Sequence, residues 1–263
     1  GAEKPDGTWF GSPPISLPVR QAVGLFDEGA RFNPRPRLVA MRLAIEAIRV
    51  ILPLTLFLAF FSILFSIVGD IQDYYDSQTL IAAVFPFLYI GFALASGLSV
   101  VALKWLVMGR YKPTTKPLWS TFVWRTELVT ATYENLAVPN LLQPLRGTPW
   151  ISAYLRLLGC KIGRDCFIDT TDVTEHDLVR IGDEVALNEF SGLQTHLFED
   201  RVMKVSSVTV GDRAVIGSYA IVLYDAEIGE DAQLGDLSVV MKGETLPAGT
   251  SWEGSPAQPV RSA

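Results

Sequence analysis

Histidine and cysteine are scarce in this chain, with two of each in 263 residues. Cys160 and Cys166 belong to no Cys-x-x-Cys or Cys/His cluster, and two histidines leave little from which to build a zinc site. Two buried free thiols are the expected reading, a disulfide is the lesser alternative, and no metal is expected. The chain also lacks a basic tract interleaved with aromatics. With a net charge of −6 and a pI near 5.0, it is a poor candidate for a nucleic-acid partner held through phosphates. No apolar core follows a basic start near the N-terminus, so no signal peptide is expected. The lack of an initiating Met leads us to expect a fragment or processed piece of something longer, with Gly1 a candidate tag scar.

What is present in excess is apolar sequence, at 49% hydrophobic residues and a mean hydropathy of +0.28. The excess is concentrated between Ile45 and Met108. Residues 1–36 are rich in proline and glycine (Gly11-Ser12-Pro13-Pro14, Phe32-Asn33-Pro34-Arg35-Pro36) and read as linker, with one short helical turn expected over 21–26. Residues 37–108 then read as an amphipathic segment and two transmembrane helices. Val50–Val68 and Leu80–Leu103 hold no charge, and each is long enough to cross a hydrocarbon core of about 30 Å. Pro53 and Pro86 are expected near the two helix starts. Arginines precede the first span, Lys104, Arg110, Lys112 and Lys116 follow the second, and the loop between them holds Asp70, Asp73 and Asp76. This asymmetry predicts an integral cytoplasmic-membrane protein with both termini inside. Its expected partner there is membrane lipid.

Residues 109–149 form a connector expected to lie at the membrane interface, with a helix from Thr121 to about Leu136 and with Trp119 and Trp124 against the bilayer. A short helix is expected over 149–158. Beyond it a bulky apolar residue recurs at every sixth position: Val210, Ile216, Val222, Ile228, Leu234, Val240, Leu246 and Trp252. Small residues such as Ala214, Ala220, Ala226 and Ala232 follow four places on, where a tight turn is expected. Ile162, Ile168, Ile181, Leu187 and Leu193 show the same spacing. A period of six suits a triangular solenoid in which eighteen residues complete a coil. The interval from Ile168 to Ile181 carries one residue too many, so a bulge is expected near 173–178. His176 in that bulge reads as a surface residue. Between Leu193 and Val210 a charged insertion containing His196 breaks the pattern.

The block Ile181-Gly182-Asp183-Glu184-Val185, followed by Leu193-Gln194-Thr195-His196, and the ending Gly254-Ser255-Pro256-Ala257 resemble the hexapeptide-repeat acyltransferases. That resemblance implies a left-handed parallel β-helix over 150–263. The two spans, Gly109-Arg110-Tyr111-Lys112-Pro113, the stretch Thr195–Lys204 and Val240-Met241-Lys242-Gly243-Glu244 together resemble the membrane C-terminal region of ε-poly-lysine-synthetase-type nonribosomal peptide synthetases. The implied fold class is a transmembrane helical hairpin followed by that β-helix. The implied partners are adenylation and carrier domains in the same or another chain, with the unit assembled as a homotrimer or a tandem pseudo-trimer.

The implied reaction condenses an amine with a carrier-bound aminoacyl thioester. It needs a base near neutral pH, and His196 is the loop histidine able to serve. Glu199 or Asp200 is expected to orient the imidazole or hold a cationic side chain, and a solvated charged turn is the alternative. Arg201 and Lys204 are candidates for a phosphopantetheine phosphate, and Tyr224 and Trp252 for walls of the pantetheine path. Two other functions stay open: a CoA-dependent O- or N-acetyltransferase using acetyl-CoA, and a catalytically silent scaffold unit.

Overall fold

The computed structural model describes residues 31–260, together with 9–10, 15–16 and Phe26. Strands Trp9–Phe10 and Ile15–Ser16 pair antiparallel across the Gly-Ser-Pro-Pro sequence. The turn expected over 21–26 lies outside the described residues apart from Phe26, which sits at a bend.

Helix α1 spans Pro36–Tyr75 and helix α2 Gln78–Val107, both long and apolar enough to cross a membrane. Pro36 takes the first turn of α1, where its missing N–H costs nothing. The amphipathic segment and the first apolar run are thus one continuous helix, and Pro53 falls inside it rather than near its start. Asp76 adopts a left-handed conformation that turns the chain, and the Ser77 hydroxyl caps α2 by accepting from the Leu80 N–H. Large apolar side chains along both helices, Val50, Leu54, Leu58, Phe87, Ile90 and Leu94 among them, are exposed.

The connector is more ordered than its turn signals suggest. Thr114–Pro117 is a strand, and helix α3 spans Thr121–Thr132 behind the cap of Ser120. The chain then continues as a π-helix over Tyr133–Leu142, past the length expected from sequence. Trp124 does not lie at a surface: it is 1% exposed, and its indole donates to the Leu118 carbonyl. Glu127 of α3 forms ion pairs with Arg42 and Arg49 of α1, so two of the arginines preceding the first apolar run have a protein partner. Helix α4, Pro149–Leu158, buries Ile151, Tyr154, Leu155 and Leu158 as its spacing predicts.

From Lys161 onward the chain visits three sheets in turn, parallel except where Gln258–Pro259 folds back antiparallel on Ser251–Glu253. Along the first, Ile162, Ile181, Val210, Ile228 and Leu246 stand in register. The second aligns Ile168, Leu187, Ile216, Leu234 and Trp252, and the third Leu193, Val222 and Val240. Where the repeat is unbroken, partners are eighteen positions apart, as the period of six requires. Apart from Ile162 and Trp252, all of these residues are buried. The small residues have a different role from the one expected. Ala214, Ala220, Ala226 and Ala232 point inward at 1% exposure or less, and the residue before each, Arg213, Tyr219, Asp225 and Asp231, takes the left-handed corner. The recurrent glycine has its own cause: a Cβ on Gly229 would meet the Ala248 backbone N at 2.5 Å, so stacked coils leave no room for a side chain there.

One core runs through both parts, from Ala93 and Val100 of α2 through Leu136 and Leu141 to α4 and the coil interior. Tyr154 donates to the Gly97 carbonyl at 3.0 Å, and a Cβ on Gly97 would strike Leu141 at 2.2 Å. Gly97 thus lets α2 pack closely against Leu141 and Tyr154. Near its C-terminal end, α2 buries Lys104 completely, with its ammonium 2.7 Å from Asp177 and 3.5 Å from the centroid of Trp105. The Tyr111 N–H donates to the same Asp177 oxygen at 3.0 Å. Breaking a buried ion pair from one side leaves an uncompensated charge. Asp177→Ala is therefore expected to destabilise the chain by about 3–5 kcal/mol, read as a lower Tm in detergent. Lys104→Met combined with Asp177→Asn should recover most of the loss.

Candidate active site at the interrupted corner

The insertion after Leu193 is a β-hairpin. His196–Glu199 pairs antiparallel with Val202–Val205, and Val202–Val205 pairs in turn with Thr114–Pro117 of the connector. Asp200 and Arg201 form its tip with φ of 48° and 59°, the paired positive values that a two-residue hairpin turn of this hand requires. His196 opens the first strand and is held where the hairpin leaves the stacked coils.

The bulge at 173–178 lies at the same corner one coil earlier, because Val173 bridges to Leu193 in parallel. Thr174 and Glu175 consequently stand beside Thr195 and His196. The Glu175 Oε2 lies 2.8 Å from His196 Nδ1 and 2.7 Å from the Thr195 hydroxyl. The Thr195 N–H donates to the Thr174 hydroxyl at 3.0 Å. A carboxylate only accepts, so His196 carries its proton on Nδ1 and leaves Nε2 as the basic nitrogen. Burial opposes charging of this imidazole, but the hydrogen bond and charge of Glu175, with the charges of Asp172 and Glu127, hold its pKa above the usual value. The Glu175 side chain is 0% exposed and that of His196 23%, so the acid is fully enclosed while the base still reaches solvent.

The carboxylate against His196 is thus Glu175, rather than Glu199 or Asp200. Glu199 is engaged elsewhere, with the Lys204 ammonium at 2.6 Å and Lys242 bonded to its other oxygen. Burial would raise its carboxyl, but the two lysines hold it below the usual range. Lys204 is correspondingly buried. Arg201 lies over the ring of Phe32 at 5.0 Å. Tyr224 is buried in the next coil, directly after Leu223, which pairs with Gln194. Trp252 lies on a different sheet and donates to the Thr250 hydroxyl at 2.8 Å. The structure therefore gathers Thr195, His196, Glu199 and Lys204 at one corner and leaves Trp252 apart.

His176 is not a surface residue. It is 5% exposed, its ring meets Tyr133 edge-on at 5.2 Å, and burial drives its pKa down to about 3, so it stays neutral. The single extra residue between Ile168 and Ile181 was the sequence signal for this neighbourhood. It marked a bulge without indicating that Glu175 in it turns inward. Both cysteines are free among the described residues: Cys160 is buried and Cys166 half-buried.

No family model matches the chain. δ-Poly-L-ornithine synthetase of Acinetobacter baumannii (strain AB307-0294) is 44% identical over 253 residues, which is 96% of this chain and 19% of that protein. This chain is a relative of one segment of a poly-amino-acid synthetase. It spans about one fifth of that relative's length. A hexapeptide-repeat-containing acetyltransferase from Vibrio cholerae aligns with a TM-score of 0.36 and 20% identity, over 43% of this chain and 79% of that one. Soybean serine acetyltransferase aligns with a TM-score of 0.35 and 18% identity, over 73% of this chain and 65% of that one.

The electrostatics of the pair generate a pH prediction. A histidine whose folded pKa lies above its unfolded value of about 6.5 adds stability below that pH and loses the contribution as pH rises through the folded value. Glu175→Gln should lower the His196 pKa below about 6.5, since burial then dominates, as measured by NMR titration. The stability difference between variant and parent should be largest in acid and shrink as pH rises through the parent's His196 pKa.

Proposed function

We propose that this chain is a membrane-anchored acyltransferase unit that joins an amine to a carrier-bound aminoacyl thioester in poly-amino-acid synthesis. Residues 150–263 are read as a left-handed parallel β-helix, and α1 and α2 as the anchor, with both ends and the β-helix on the cytoplasmic side. The observation that carries the reading is the His196–Glu175 pair, built where two successive coils are interrupted at one corner. The similarity to a poly-L-ornithine synthetase supports an amide-forming role within a longer enzyme. Adenylation and carrier functions are then supplied by other domains, and the unit works as a homotrimer or as one of three tandem copies.

In this reading His196 Nε2 takes the proton that the attacking amine must lose, and Glu175 stabilises the imidazolium through Nδ1. The amine nitrogen forms a C–N bond to the thioester carbon, the C–S bond breaks, and the proton passes from His196 to the leaving thiolate. Carrier-bound phosphopantetheine would supply the thiol that holds the aminoacyl carbonyl as an activated thioester, and a phosphate. Of the two cations expected to meet that phosphate, Lys204 does not fit, because its ammonium is buried against Glu199. Arg201, at the hairpin tip, fits by position. The scaffold alternative called for a His196 without a hydrogen-bonding partner, and the Glu175 contact counts against it.

His196→Ala should lower amide formation from a carrier-bound aminoacyl thioester by about 10²–10⁴-fold in the reconstituted synthetase. An unchanged rate would sink the proposal. Efficient transfer from acetyl-CoA with no carrier protein present would point instead to a CoA-dependent acetyltransferase.

A further inference from the structure

Beside the His196–Glu175 pair lies a cavity of about 210 Å³, between the π-helix and the 171–176 segment. At about 30 Å³ per water it has room for several waters or a short alkyl chain. Three carboxylic acids, Glu134, Asp172 and Glu175, line it, and none of its described lining residues is Lys or Arg. Two of the lining side chains carry orphaned polar atoms. Glu175 Oε1 and His176 Nε2 are buried with no hydrogen-bond partner among the described residues, and the two residues are 3% and 5% exposed. A buried acceptor without a donor is costly, so a donor is the group these atoms call for.

We infer that this cavity is a binding site for a primary alkylammonium group, carried by the amine-bearing substrate of the neighbouring base. The inference rests on the amine-acylating role proposed above. An ammonium offers three donors and no acceptor, matching Glu175 Oε1, His176 Nε2 with its proton on Nδ1, and the carboxylate of Asp172 or Glu134. The rings of Tyr111 and Tyr133 line the same space and suit a cation, and Tyr133 is fixed by donating its hydroxyl to the Thr171 carbonyl at 2.8 Å. Val129 and Val138 give the methylenes an apolar wall. A metal ion is the poorer occupant, since no group of three His, Cys, Asp or Glu suited to one occurs among the described residues.

The charge balance agrees. Burial raises the carboxyl of Asp172, and burial with the charge of Asp172 raises that of Glu134, as expected for carboxylates short of positive partners. Arg49 acts on Glu134 from α1, Glu127 acts on His196 from α3, and Lys104 is committed to Asp177. Glu175 is shared: Oε2 faces His196, and the orphaned Oε1 belongs to a residue lining the cavity. A cation seated there repels the imidazolium and competes for the same carboxylate. Substrate binding thereby lowers the proton affinity of His196 and frees its Nε2 to act as base.

The test uses the full chain in detergent or nanodiscs, without carrier or thioester, and compares n-butylammonium with its neutral counterpart n-butanol by calorimetry. Saturable binding of the cation and none of the alcohol is expected. Asp172→Asn with Glu134→Gln should weaken binding of the cation by roughly tenfold or more. In the unmutated protein, adding n-butylammonium should lower the His196 pKa followed by NMR, an effect that needs no variant to fold. Equal binding of cation and alcohol, or a His196 titration unmoved at saturation, would overturn the inference. Because no acyl transfer is measured, such a failure leaves the His196 proposal standing, and loss of that proposal does not by itself produce this result.

Discussion

A lysine buried at the end of an apolar helix must meet a negative charge, and here the residue that supplies it also fixes the geometry of the candidate site. Lys104 reaches Asp177, which also accepts the Tyr111 N–H. Asp177 stands two residues beyond Glu175, so the bulge that answers the lysine is the bulge that presents a carboxylate to His196. Movement of α2 against the coils would carry this segment with it, whereas the hairpin bearing His196 is held from the other side by Thr114–Pro117. The acid and the base thus reach each other from two elements, one tied to the C-terminal end of α2 and the other to the connector strand that follows it.

Register explains why the two excursions meet. Where successive strands pair in parallel register, residues that leave equivalent places emerge one above the other. Val173 and Leu193 occupy equivalent places, so whatever follows them is adjacent whatever its length. The first excursion is short and inward, and the second is a two-stranded arm. Two coils beyond Leu193, Val240 holds the same place, and Lys242 just after it reaches back to Glu199. Three separate stretches of sequence therefore converge on one edge, while the other two corners carry regular turns.

Much of this was legible in residue spacing. The recurrent aliphatics set the three-sheet register, and α4 follows from Ile151, Tyr154, Leu155 and Leu158. His196 stood out because a long interruption surrounds it. Glu175 did not, because one surplus residue reads equally well as an idle bulge. The acid next along the chain, Glu199, looks the natural partner until pairing across coils is considered. His176 misled for a related reason: its polar neighbours Glu175 and Asp177 suggest a surface, yet each is drawn inward by a partner distant in sequence. The burial of Trp124 and the strand at Thr114–Pro117 were likewise beyond local patterns, since both depend on packing against elements far along the chain.

The contrast between Glu175 and Glu199 shows what burial does to a carboxylate near a base. Glu199 is partly exposed and meets two ammonium groups, so its charge is spent within the hairpin and the coil beneath it. Its contribution is to clasp the arm to the stack. Glu175 is fully enclosed and meets no lysine or arginine among the described residues, so its field falls on the imidazole with little screening. A partner like Glu199 would orient His196 with a charge already neutralised. A partner like Glu175 orients it and also raises its basicity, and it remains sensitive to any further cation that approaches its second oxygen. That sensitivity makes a buried, under-paired acid suited to stand beside a base whose proposed substrate is an amine.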